Sequence, residues 1–127
     1  MKIRVTEVLS LENPLRVAFQ TSVGSGTALW IGETPTIGEE QDVEFDLSEI
    51  FSWGKNLVPS LHSSPGINVI NGVTQITAEI VKNAEEEWIA LKLGDSLILI
   101  EIDEALTEPC DFVEARTTNV RLFPTNI

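Results

Sequence analysis

Polar and apolar residues alternate along most of this chain, the pattern of β-strands with one buried face. "KIRVTEVL" (2–9) sets Ile3 and Val5 against Lys2, Arg4 and Thr6, and "LRVAFQT" (15–21) sets Leu15, Val17 and Phe19 against Arg16, Ala18 and Gln20. Glu12-Asn13-Pro14 between them is a turn signal. "TALWI" (27–31) follows Gly24-Ser25-Gly26, which reads as the hairpin turn joining it to the preceding strand. "DVEFDL" (42–47) is the cleanest case, with Val43, Phe45 and Leu47 inward and Asp42, Glu44 and Asp46 outward. "INVI" and "VTQITAEIV" flank Asn71-Gly72, a pair that favours a two-residue type I′ turn. "WIALKL" and "SLILIEI" flank Gly94-Asp95 in the same manner, and "DFVEARTTNVRLF" reads as one last strand running to Pro124.

Helix has little room here. Asp46 or Ser48 is placed to cap a short turn through "SEIFSW", and "DEALTE" (103–108) to form one turn before Pro109. Neither reaches the ~12–15 residues a helix needs to stand on its own propensity. Short strands separated by turns, with one or two helical turns at most, predict an all-β fold: a small antiparallel barrel or sandwich. A strand-rich half, a short connection and a second strand-rich half is also the layout of an OB-like Greek-key barrel, the first architecture to test. With 127 residues, 43% of them hydrophobic, and no internal repeat or linker, one domain spanning 1–127 is expected.

Charge changes the picture more than composition does. Twenty acids against eight bases give a formal net charge of −12. Seven acids and no base lie between Glu33 and Glu49, and seven more with no base between Asp95 and Glu114. Such a field repels phosphate backbones and anionic lipid and attracts a basic partner. Nucleic acid and membrane are therefore disfavoured. The N-terminus lacks the apolar core of a signal peptide, and the longest aliphatic run, "LILI" (97–100), is far short of a membrane span. The single cysteine, Cys110, has no second in the chain to pair with. Together these features predict a cytoplasmic protein.

The chemical motifs fail one by one. "WGKN" lacks a glycine five positions before Gly54, where Glu49 stands, and has Asn56 where a phosphate loop needs Ser or Thr. His62 beside Ser60, Ser63 and Ser64 is a loop composition without a nucleophile elbow, and sequence neighbours rarely converge as a catalytic pair. One His and one Cys cannot make a structural zinc site. Counting a calcium loop from Asp42 puts Leu47 and Trp53 where glycine and glutamate are required. Gly24 and Gly26 lack the third glycine of a dinucleotide fingerprint, which falls on Leu29. No cofactor, metal or catalytic residue is predicted.

What remains is a surface. The expected function is that of a non-enzymatic acidic module that binds a basic protein, an immunity-type toxin neutraliser being its concrete version. Its contact residues are expected to be Glu39, Glu40, Asp42, Glu44 and Asp46, with Trp30 and Trp53 as aromatic anchors. The alternatives are a small-molecule or carbohydrate binder, or an enzyme, in a barrel mouth lined by Trp30, Trp88, Glu79 and Glu101, and an accessory assembly subunit. The stretch "SWGKNLVPSLHSS" (52–64) reads as the crossover between two β-rich halves, with Phe51 and Trp53 plugging one end of the barrel. The partner's identity and the oligomeric state are not legible in the sequence.

Overall fold

In the computed structural model the described residues are 1–85, 87–104 and 110–125. Among them every regular element is a strand: β1 (Lys2–Ser10), β2 (Leu15–Thr21), β3 (Gly24–Trp30), β4 (Glu40–Leu47), β5 (Ile50–Phe51), β6 (Leu57–Pro59), β7 (Gly66–Ile70), β8 (Val73–Glu85), β9 (Trp88–Leu93), β10 (Ser96–Ile102), β11 (Phe112–Thr117) and β12 (Val120–Pro124). No helix among them is long and apolar enough to cross a membrane.

Five strands close a barrel and the others lie outside it. Around the ring β1 pairs with β2, β2 with β3, β4 with β1 and β12 with β4, all antiparallel. A parallel contact between β12 and β3, Arg121 opposite Leu29 and Leu122 opposite Trp30, closes it. Alternation in each strand sends its apolar residues inward. Ile3, Val5, Val17, Phe19, Ala28, Trp30, Val43, Leu47 and Leu122 are all buried. Phe45 meets Phe19 edge to face, with ring centroids 5.8 Å apart. The barrel is therefore filled by side chains.

The second half is built on the 13-residue β8. Its first residues pair with β7 and its later ones with β9, while Thr74–Glu79 pair with β11. The meander continues from β9 to β10, β5 joins β10 in parallel, and β6 joins β11. Phe51, Leu57, Ala78, Ile89, Leu91, Ile98, Ile100, Val113 and Ala115 are buried there, in one continuous cluster with the barrel core. The two halves also meet at a parallel contact between Gly24 of β3 and Ile67 of β7, where the Ile67 N–H donates to the Val23 carbonyl at 3.1 Å.

Three local expectations are corrected. "SEIFSW" is not a helical turn: Ile50 and Phe51 lie opposite Glu101 and Ile102, extended because only then is Phe51 fully buried while Ile50 faces out. The other expected turn, 103–108, lies largely outside the described residues. "DFVEARTTNVRLF" is not one strand. The Thr117 hydroxyl accepts the Asn119 N–H at 2.9 Å, a side-chain-capped turn that sends β11 to the second half and β12 to the barrel. Finally, the turn between β2 and β3 is at Ser22-Val23, and Gly24 and Gly26 belong to the strand. Gly26 faces the Phe19 ring so closely that a Cβ would sit 3.2 Å from it, so glycine here serves packing.

Candidate functional site

The acidic stripe is built by β4. Val43 and Leu47 point inward, so Asp42, Glu44 and Asp46 point outward, with Glu39 and Glu40 exposed at the strand's entry. Glu40, Asp42, Glu44 and Asp46 thus share one face, and Glu39 precedes the strand. The neighbouring strands, however, bring bases to meet them. Register places Arg4 opposite Glu40 and Lys2 opposite Asp42 on β1, and Arg121 opposite Asp46 on β12. Glu40 lies 3.7 Å from both Lys2 and Arg4, and Asp46 lies 3.6 Å from Arg121. The N-terminal ammonium donates to the Val43 carbonyl at 3.0 Å and is 3.8 Å from Asp42.

These pairs are longer than a charge-assisted hydrogen bond and half exposed, so they hold little energy. Their effect is on the field. Glu39 and Glu44 alone in the stripe have no ion pair among the described residues; the cross-strand neighbour of Glu44 is Phe123. Arg121 also lies over the Phe123 ring, 5.5 Å from its centroid. Removing both contacts in Arg121→Ala should cost about 1 kcal/mol in urea unfolding, because each is a surface interaction. A loss of several kcal/mol would mean the pair is structural.

The aromatic anchors are placed differently from expectation. Trp30 is 2% exposed, and its indole N–H donates to the Glu33 carbonyl at 2.6 Å. It packs the barrel and pins the loop after β3, so its ring is not presented to a partner. Trp53 is partly buried against the core and bridges to Leu57. Trp88, 41% exposed on β9, is the most accessible of the three. The alternative site in a barrel mouth does not assemble either. Trp88 is opposite Glu101 on the outer sheet face, Glu79 is opposite Lys92 and Phe112, and Trp30 is inside the ring.

Beside the stripe, the loop after β3 and the start of β4 enclose an open, polar groove of about 620 Å³ that Glu33, Glu39, Glu40 and Asp42 share with Lys2. Among the described residues no three His, Cys, Asp or Glu side chains are placed to hold a metal ion. His62 is exposed on the loop after β6, where its N–H bonds the Ser60 hydroxyl at 3.0 Å. The depression it lines with Ser63 and Ser64 includes no carboxylate to orient the imidazole. In "WGKN", the Gly54 and Lys55 N–H groups donate to the Leu57 and Ser52 carbonyls, so they are engaged within their own turn rather than aimed at an anion.

Comparison with known protein families, characterised proteins and solved structures finds no match.

One surface escaped the sequence reading. Leu97 and Leu99 on β10 are 67% and 61% exposed. With Phe45 and Met1 they line a second groove, also about 620 Å³, whose other wall is Asp42, Glu44 and Asp46. The signal lies in "SLILIEI", which is apolar on both faces of a strand and so must either be covered twice or expose one side.

Proposed function

We propose that this protein is a non-enzymatic acidic binding module that engages a basic partner protein in the cytoplasm, with toxin neutralisation as one specific form. The observation that carries this is the outward β4 face, where Glu44 keeps its charge unpaired beside a partly apolar groove and Glu39 does so in the polar groove at the strand's entry, on a barrel whose interior is filled. A solid barrel favours contact through its surface over a ligand enclosed within it. Charges on that surface speed encounter, and the apolar groove supplies contact area once the partner is docked. For the barrel itself we infer an OB-like Greek key, supported by the ring order β1-β2-β3-β12-β4 and its single parallel contact.

The test is kinetic. A partner recovered from native lysate at low salt should associate about tenfold more slowly near 0.5 M salt, with a much smaller change in dissociation. Reversing both unpaired carboxylates, Glu39→Lys with Glu44→Lys, should slow association at low salt several-fold. It should leave stability within about 0.5 kcal/mol, since both sites are exposed. An affinity independent of salt would overturn the proposal.

A further inference from the structure

We propose that the outer face of β9 and β10 is where the partner docks, by laying the apolar stripe of a basic amphipathic helix across it; this rests on the acidic-module reading above. Both edges of β10 are taken. β9 pairs with it from Ser96 to Glu101, β5 covers Glu101 and Ile102, and β4 lies alongside it beyond β5. What the strand leaves free is a face of side chains. Ile98, Ile100 and Ile102 are buried, so Leu97 and Leu99 point outward and are exposed.

Register extends the two leucines into a patch, because directly opposed residues of paired strands share a face. Leu97 is opposite Lys92, Leu99 is opposite Ala90, and Glu101 is opposite both Trp88 on β9 and Ile50 on β5. Trp88 and Ile50 are exposed as well, while Ala90 is buried and keeps the floor low beside Leu99. Three consecutive rows of the sheet thus turn two leucines, an isoleucine and a tryptophan toward water. The free face of an antiparallel sheet is ordinarily polar. An apolar patch with a charged rim on such a face marks a contact surface.

Charge and backbone chemistry select the occupant. Asp42, Glu44 and Asp46 wall the groove that Leu97 and Leu99 share with β4. Against them stand Lys92 on the face, Arg121 beside Asp46 and the N-terminal ammonium beside Asp42. Glu44, and Glu101 partly buried between Ile50 and Trp88, make no ion pair among the described residues and are left for a partner's cations. A second copy of the chain would bring these acids together, each copy carrying a net charge of −12. An extended segment would need ladder bonds that neither edge of β10 offers. A helix satisfies its own backbone and presents only side chains. The spacing fits it. Leu97 and Leu99 lie about 6.6 Å apart along the strand, and helix residues i and i+4 about 6 Å apart along the axis. Apolar side chains at that interval meet Leu97, Leu99 and Trp88. Lys or Arg beside the stripe lays its stem on the leucines and sends its charge to Glu44 or Glu101.

The probe is a synthetic peptide of about 18 residues, long enough for a helix, with Leu at i, i+4, i+7 and i+11 and Lys on both flanks. It is titrated into uniformly ¹⁵N- and ¹³C-labelled protein. The Leu97 and Leu99 methyls and the Trp88 indole N–H should shift together, whereas the buried Trp30 indole should not. Leu99→Lys should weaken binding about tenfold or more through like charge, while Leu99→Met retains it. Leu99 is exposed, so neither variant should lose the native spectrum. A peptide of the same composition with the stripe scrambled should bind at least about tenfold more weakly. If it binds equally well, the helical occupant is wrong. Shifts confined to Glu39 and Glu44 would overturn this docking site and leave the acidic module standing. No shift at Leu97 or Leu99 with about 1 mM peptide would likewise overturn the docking site. Equal binding of a peptide with Glu in place of Lys would overturn both readings. Shifts that grow with protein concentration alone, together with a doubled mass in sedimentation, would assign the face to a second copy and overturn a basic occupant.

Discussion

Phe51→Ala is expected to destabilise the fold by about 3–5 kcal/mol, whereas Ile50→Ala, one residue earlier, should change it by less than about 1 kcal/mol. Phe51 is 0% exposed and Ile50 is 56% exposed. The contrast follows from β5 being a strand, in which neighbours face opposite ways. In a helical turn both residues would lie within about 100° of one another and the difference would shrink. Urea unfolding of the two variants reads this directly. Near-equal losses would mean that the segment between the halves is not the extended pairing partner of β10. The outcome also bears on Trp53 and on the Ser52 hydroxyl, which donates to Asp103 at 2.6 Å and holds the same crossover against the end of β10.

Gly24→Ala should be the most damaging small substitution in the chain, at about 3 kcal/mol or more. Two independent effects meet there. Its φ of +141° lies where an L side chain is strained. A Cβ at this position would also overlap the Ile67 carbonyl oxygen, a backbone atom of the strand that joins the two halves. Gly38→Ala separates the two effects. Its φ is +84° and nothing lies within 4 Å of the added Cβ, so only the backbone strain of about 1–2 kcal/mol applies. Equal losses in the two variants, by thermal or urea unfolding, would show that the close approach of β3 to β7 contributes nothing.

Much of this architecture can be read from the residues because a half-buried strand writes its two faces into alternate positions. β2 begins and ends where the alternation does, and β9 and β10 where the apolar runs flanking Gly94-Asp95 do. Asn71 and Gly72 both take positive φ, 53° and 79°, as a type I′ turn requires. Long-range pairing leaves no such local trace. The break at Thr118-Asn119 leaves only a shift of phase, with buried positions at 113, 115 and 117 before it and at 120 and 122 after it, and which sheet each piece joins is not written locally. β5 is two residues long and extended because of Glu101–Ile102, far along the chain. The candidate site has the same limit. Four acids on one face of β4 follow from local spacing. That Lys2, Arg4 and Arg121 neutralise part of them depends on which strands flank β4. Local pattern leaves Trp30 open to either placement, because a strand of mixed composition does not say which face the ring will close over.

The strand that completes the barrel is made last. β4 ends at Leu47, and its neighbour β12 begins only at Val120, after seven strands of the other half. During translation the nascent chain must therefore carry four barrel staves with their lateral backbone groups unmatched until the ribosome has delivered everything between. The long sequence separation of this closure slows folding relative to a chain of local hairpins. A net charge of −12 on each chain repels neighbouring unfinished chains while the seam waits for its final segment.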